Sequence, residues 1–216
     1  MPQRKRRREA SVSRDPAVVR ARILDAAQVE FMTHGYLAAS TNRISRAFGG
    51  SKATLFRHFS TKIGLLEAVV QRIAAEWRGA VDWRGIDSPE PAEWLTVFAH
   101  RVLVWILRDE PLFIGRLAIT EGERLPHLKS LFHATAGRPL QVVLARQLRI
   151  WTKQGRTDVP DPRHTALHFL DLLVAGQVSR RLYGEPAQSE RRLRAHVASA
   201  VALFLNGCGT HRKSFA

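Results

Sequence analysis

Two adjacent glycines, Gly49 and Gly50, divide the stretch STNRISRAFGGSKATLFRHF (residues 40–59) into two short pieces. Neither piece is long enough to stand as a helix on its own, so each must be held by a longer neighbour. The first begins at Ser40 or Thr41 and offers Ile44, Ala47 and Phe48 for burial. The second is capped by Ser51 and offers only Leu55 and Phe59. Upstream, Asp15 and Pro16 read as a cap and a first helical residue. Val19, Ile23, Ala27 and Phe31 then recur every fourth position until His34-Gly35 stops the run. Two short helices joined by a glycine-containing turn, docked on a longer helix, make a helix-turn-helix.

The remainder is also helical, with no alternating pattern of a strand. From about Lys62, Ile63, Leu66, Val70, Ile73 and Trp77 form one apolar stripe. Residues 84–91 are a loop, and Pro91 opens a helix that buries Trp94, Phe98, Val102 and Trp105. Glu110-Pro111 breaks the chain again, and helices are expected over 111–123, 126–153, 162–183 and 188–206. Gly155, Gly184 and Gly207 mark three of the ends, while Gly137 and Pro139 are placed to kink the 126–153 helix. The fold class is therefore all-α, with about nine helices. The expected organisation is a disordered basic arm (1–14), a helix-turn-helix domain (15–61), a helical effector-binding and dimerisation domain (62–207) and a flexible tail (208–216).

Charge narrows the function. The net charge is +15, and residues 1–62 hold thirteen Lys/Arg against four Asp/Glu, so most of the surplus sits in under a third of the chain. A generally arginine-rich composition does not explain that clustering, whereas a polyanionic partner does. A single cysteine, Cys208, rules out an intrachain disulfide and suits a reducing compartment. No apolar run is long enough for a membrane span or a secretory signal, so a cytoplasmic protein with no membrane partner is expected. The chain has no phosphate loop, nucleophile elbow, GxGxxG or HExxH, and its nine histidines show no metal spacing. Neither enzyme activity, cofactor nor metal is expected.

If Leu55 and Phe59 anchor the second short helix, Lys52, Ala53, Thr54 and Arg57 are left on its open side. Lys pairs guanine acceptors, and an Ala or Thr methyl meets a thymine methyl. Lys62 and the amides at the start of the next helix are placed to meet a phosphate.

The run ARILDAAQVEFMTHGYLAASTNRISRAFGGSKATLFRHFSTKIGLLEAV closely resembles the DNA-binding domain of the TetR (tetracycline-repressor-like) family of bacterial regulators. It matches in register at Ile23, Ala26, Ala27, Phe31, Gly35, Tyr36, Thr41, Ile44, Ala47, Gly49, Ser51, Leu55, His58, Phe59, Lys62 and Leu65. The resemblance implies that Ser40 and Thr41 contact phosphate, with Asn42 and Arg43 near the DNA. It also implies that Lys52, Ala53 and Thr54 face bases while His58 and Lys62 hold phosphates. Phe48 stands where the family usually has a small residue and Gly50 where it usually has Val, an exchange that cores tolerate when volume is conserved. Phe56 replaces the usual Tyr, which leaves a ring contact but no hydroxyl.

Beyond residue 80 the likeness is looser. It implies a homodimer on a palindromic operator, double-stranded DNA released by a still unidentified small-molecule effector. It also implies that the last two helices pair with their twofold mates. Leu167, Leu170, Val174 and Val178 line one of those helices, and Val197, Val201 and Phe204 the other, a pattern shared by a plain intrachain core. Gly176 allows close helix approach. Trp77, Trp94, Trp105, Phe113, Trp151 and Phe169 suffice to line an effector pocket, though aromatics at helical spacing are more often core. Arg116, on an apolar helix, either points inward and needs an anion or snorkels to the surface. The competing function is a non-specific architectural DNA binder, argued by the run Arg4 to Arg8 and distinguished by a footprint that coats DNA. An enzyme with a DNA-targeting module ranks below both.

Overall fold

The computed structural model describes residues 15–80, 86, 88–126, 130 and 137–208, with the side chains of 77–80 and 208 outside that description. The basic arm, the tail beyond residue 208, residues 84, 85 and 87 of the 84–91 loop and much of the 126–137 segment therefore lie outside the described residues. Among those described, the chain forms nine helices and no strand. It divides into two compact units, residues 1–73 and 74–216.

The first unit holds α1 (Pro16–Ala38), α2 (Thr41–Ala47), α3 (Lys52–His58) and the first part of α4 (Lys62–Ala80). Each of the three leading helices starts on a side-chain cap. Asp15 accepts from the Ala17 amide at 2.8 Å, Ser40 from Arg43 at 3.4 Å and Ser51 from Thr54 at 3.0 Å. Gly35 has φ +73°, which interrupts α1 where the sequence placed its stop. Ile23, Ala27, Phe31, Ile44 and Leu55 are fully buried, joined by Leu65, Leu66 and Val69 of α4. Ala47 departs from expectation. It is exposed, and Ser45 is buried instead, its hydroxyl satisfied by the Thr41 carbonyl at 2.8 Å.

The unit boundary falls inside α4, not before Lys62, because the first turns of α4 pack and bond within the first unit. Arg72 donates to Asp25 at 2.6 Å, to the Leu24 carbonyl at 3.1 Å and to Gln28 at 2.6 Å, all on α1.

The second unit contains α5 (Pro91–Ile106), α6 (Asp109–Glu121), α7 (Arg138–Lys153), α8 (Pro162–Leu182) and α9 (Glu190–Cys208). Helix α8 is central, packing on α5, α6, α7 and α9, while α9 also covers α5. Trp94 stacks on Phe98 at 5.0 Å and meets Trp151 edge-on at 5.5 Å, and Phe169 meets Phe204 at 4.7 Å. Two boundaries differ from the sequence reading. Asp109 and Glu110 are already helical, since Pro111 sits in the first turn where its missing N–H costs nothing. Gly207 lies within α9. Gly137 and Pro139 stand at the start of α7, and most of the expected helix before them lies outside the described residues.

Candidate functional site

Helix α3 has seven residues and buries one of them, Leu55, with Phe59 closing its C-terminus. Because two anchors suffice, the opposite face is free. Lys52, Ala53, Phe56 and Arg57 are exposed, and Thr54 and His58 are half-exposed. Lys52 and Arg57 have no acidic partner among the described residues. The Lys52 ammonium sits 5.9 Å from the Phe56 ring centre, so that ring keeps a cation over it in place of a hydroxyl. The Thr54 hydroxyl lies 2.9 Å from that of Ser51, so both belong to the cap as well as to the open face.

The residues around α3 divide into free and committed groups. Asn42 is exposed with no partner among the described residues. Arg46 shares that state, a free cation that the sequence reading missed although it lies one turn from Asn42. Arg43, expected near DNA, is 47% exposed but already engaged by partners within the protein. Its Nε donates to both Glu30 oxygens, at 2.9 and 3.1 Å, and its Nη2 to the Ala38 carbonyl at 2.8 Å. The cause is Glu30, a buried carboxylate that requires a cation and also accepts from the Ser40 amide at 2.7 Å. The Arg43 hydrogen bonds hold the Glu30 carboxyl below the usual carboxylate range, against the desolvation that raises it.

Lys62 reaches back from α4. Its ammonium donates to the Leu37 carbonyl at 3.1 Å and stands 4.8 Å from the Tyr36 ring centre, which leaves donors for a further acceptor. Desolvation lowers its pKa. The expected run of free amides at the start of α4 is partly used, since Thr61 accepts from the Gly64 amide at 3.0 Å. Ser40, Thr41 and His58 are half-exposed, and Ser51 is exposed.

In the second unit an open cavity of about 480 Å³ lies among α5, α6, α7 and α8, with Ala74 of α4 at its wall. Trp105, Leu112, Ile114, Leu140, Leu170 and Val174 make it apolar, and Arg138, Gln141 and Asp171 are its polar groups. Of the aromatics expected to line a pocket, only Trp105 does so among the described side chains. Phe113, Trp151 and Phe169 are buried in the core, and the Trp77 side chain lies outside the described residues. Arg116 corrects the inward reading: it is exposed and does not line the cavity, because Gly115 and Ile114 take the inner face of α6. The cation at the cavity is Arg138, exposed and without an acidic partner among the described residues.

The seven residues assigned to dimerisation divide between the cavity wall and the core, and Leu167 is still 40% exposed. Leu167, Leu170, Val174 and Val178 line the cavity, while Val197, Val201 and Phe204 are buried in the intrachain core. The outward stripes are Leu172, Ala175 and Gly176 on α8, with Ser179 half-exposed beyond them, and Ala195, Ala198, Ser199, Ala202 and Leu203 on α9. A side chain added at Gly176 would meet nothing within 4 Å.

Residues 23–69 match the family model described as bacterial regulatory proteins, tetR family. Residues 93–208 match the C-terminal domain of the AefR-like transcriptional repressors. The HTH-type transcriptional repressor AcnR of Corynebacterium efficiens is 31% identical over 178 residues, covering 78% of this chain and 85% of that protein. Its counterpart in Corynebacterium glutamicum is 29% identical over the same length and coverage. A solved TetR-family regulator structure from Mesorhizobium loti superposes with a TM-score of 0.79 over 90% of this chain and 98% of that one, a likeness of fold at 22% identity. With both halves of the chain matched and its short helices set as a helix-turn-helix, the chain belongs to the TetR family of bacterial transcriptional repressors.

Proposed function

We propose that the chain works as a cytoplasmic homodimer that holds a palindromic operator through two copies of α3 and releases it when a small, largely apolar molecule enters the cavity against α8. The observation that carries this reading is α3 itself. Its two anchors leave Lys52, Ala53, Phe56 and Arg57 in solvent, beside the free Asn42 and Arg46 of α2. On this reading Lys52, Ala53 and Thr54 meet base edges, and Ser40, Thr41, His58 and Lys62 meet phosphates. Helices this short gain specificity by reading two half-sites, so a twofold protein axis and a palindrome go together. The outward stripes of α8 and α9, rich in Ala, Gly and Ser, support pairing with a second copy. No helix among the described residues is long and apolar enough to cross a membrane.

Release requires a ligand that favours a different separation of the two α3 helices. The cavity lies in the size range of small-molecule sites, and its walls are mostly apolar. Arg138 is the cation available to an anionic head group, in place of Arg116.

The test is selection of duplexes from a randomised pool by the unaltered protein, followed by footprinting and sedimentation. A single palindrome with half-sites about 34–36 Å apart, protected by a dimer, is the expected result. A monomer at micromolar concentration, or a footprint that coats DNA without a preferred sequence, would contradict it.

A further inference from the structure

The turn between α2 and α3 carries an arrangement that the DNA contacts do not use. Phe48 ends α2 with its ring buried, only 5% exposed. A Cβ placed on Gly50 would lie 2.0 Å from Phe48 Cε2, 2.7 Å from Cζ and 2.9 Å from Cδ2. Non-bonded carbon atoms do not approach so closely, so the ring occupies the room that any side chain at residue 50 would need. Gly49, between them, has φ +72°, a conformation that other residues rarely adopt. From α1, Arg22 donates its Nη2 to the Phe48 carbonyl at 2.5 Å, and the Gly50 amide donates to the Ser45 carbonyl at 3.0 Å. Residue 51 then caps α3, so the chain from Phe48 to Lys52 has no slack.

We propose that Phe48 and Gly50 act as a coupled wedge, clamped by Arg22, that sets the direction in which α3 leaves the turn and so which base edges Lys52, Ala53 and Thr54 can reach. This rests on the reading of α3 as the helix that meets bases. The three residues are positioning residues: none needs to touch DNA. A contact network of this kind governs specificity because a reading constellation must be held within about 0.5 Å and about 10–20° of its productive geometry.

The wedge predicts a particular non-additivity. Gly50→Val drives a side chain into the Phe48 ring and tilts α3, lowering affinity for the selected duplex by at least about tenfold. Phe48→Ala removes the ring and leaves a void. The double variant Phe48→Ala/Gly50→Val puts a branched side chain into the vacated room and recovers affinity to within about threefold of the unaltered protein.

The experiment measures all three variants, and Arg22→Gln, against the duplex selected by the unaltered protein and against a scrambled duplex of equal length. It is run well below each variant's melting temperature and over a salt series. Gly50→Val should lower the selected-to-scrambled ratio while scrambled binding and its salt slope hold, a pattern that simple loss of stability does not give. Should Gly50→Val fail to fold, recovery of folding and of the ratio in the double variant carries the same conclusion. Arg22→Gln should lower the ratio without changing the slope. A slope flattened by about 0.9, with the ratio intact, would make Arg22 a phosphate contact and overturn the clamp. A double variant no better than Gly50→Val would overturn the wedge. An unaltered protein that selects no duplex would instead defeat the reading of α3.

Discussion

Glu30 of α1 takes the Arg43 Nε of α2 between its two oxygens, at 2.9 and 3.1 Å, and closes the pair by accepting the Ser40 amide at 2.7 Å. One buried carboxylate thus fixes both the start of α2 and the cation that would otherwise stand free beside α3. Arg43 in turn ties α2 to the end of α1 through Glu30 and the Ala38 carbonyl.

The first prediction follows from that pair. Glu30→Gln keeps the shape but removes the charge, and should cost about 1–3 kcal/mol at neutral pH, as lost hydrogen bonds to a charged group do. The pH dependence has a defined sign. The folded-state pKa of Glu30 is lowered, so its contribution is complete above the unfolded carboxylate value and is lost as pH falls through the folded one. The stability gap between the unaltered protein and Glu30→Gln, read by denaturant titration, should therefore be full at neutral pH and close as pH falls through and below the ordinary carboxylate range. A gap that stays constant over that range would show that the charge contributes nothing.

A second prediction separates positioning contacts from reading contacts. The Lys62 ammonium is partly held by the Leu37 carbonyl, which aims it without exhausting its donors. Lys62→Ala should weaken all sequences alike and flatten the plot of log affinity against log salt by about 0.9 per subunit. Thr54→Val keeps a methyl but loses the hydroxyl shared with Ser51, and should shift the preferred base at one position in each half-site. Duplex selection with each variant reads both effects.

Much of this was legible before any coordinates. The first unit announces itself through short-range signals: Asp15, Ser40 and Ser51 as caps, Gly35 and Gly49 as breaks, and Leu55 with Phe59 as anchors. All act within a few residues, which is the range over which sequence speaks. The fate of Arg43 was not legible, because its partner Glu30 is thirteen positions away and burial of that carboxylate is a tertiary fact. The same holds for α8 and α9. An apolar stripe shows that one face is buried, and Leu170, Val197, Val201 and Phe204 are such positions, but it does not say against what. The chain's own core took that stripe. The small residues between, which carry little periodic signal, were left to face outwards.

That inversion changes the dimer test, and gives a third prediction. Ala175→Arg combined with Leu203→Glu places charges on the outward stripes, where Leu203 is 61% exposed, and should yield a monomer of unchanged helicity that no longer protects the selected palindrome. Val201→Glu instead buries a charge at a site 5% exposed, and should lower stability severely before any effect on association. Sedimentation and thermal melting separate the two. A dimer that survives Ala175→Arg/Leu203→Glu would place the interface elsewhere.

The fourth prediction concerns the cavity. Val174 is half-buried and lines it, so Val174→Trp should fill part of the space while leaving the fully buried Leu173 and Phe169 beneath α8 in place. A panel of aliphatic and aromatic carboxylic acids, each paired with its amide, can be screened by thermal shift. A ligand present at about a hundred times its Kd stabilises the fold by about 2.7 kcal/mol, enough to see. If it also releases DNA, a coupling of about 1–3 kcal/mol gives a 5- to 150-fold loss of operator affinity. Val174→Trp should abolish the shift and keep operator binding, producing a repressor that no member of the panel releases. Arg138→Gln should weaken the acids and spare their amides, since it removes the unpaired cation at the cavity without changing its apolar wall. Arg116→Gln should do neither, because Arg116 stands in solvent on the outer face of α6. A hit whose shift survives Val174→Trp binds somewhere else, and a hit weakened by Arg116→Gln would return the sequence-based assignment of that arginine.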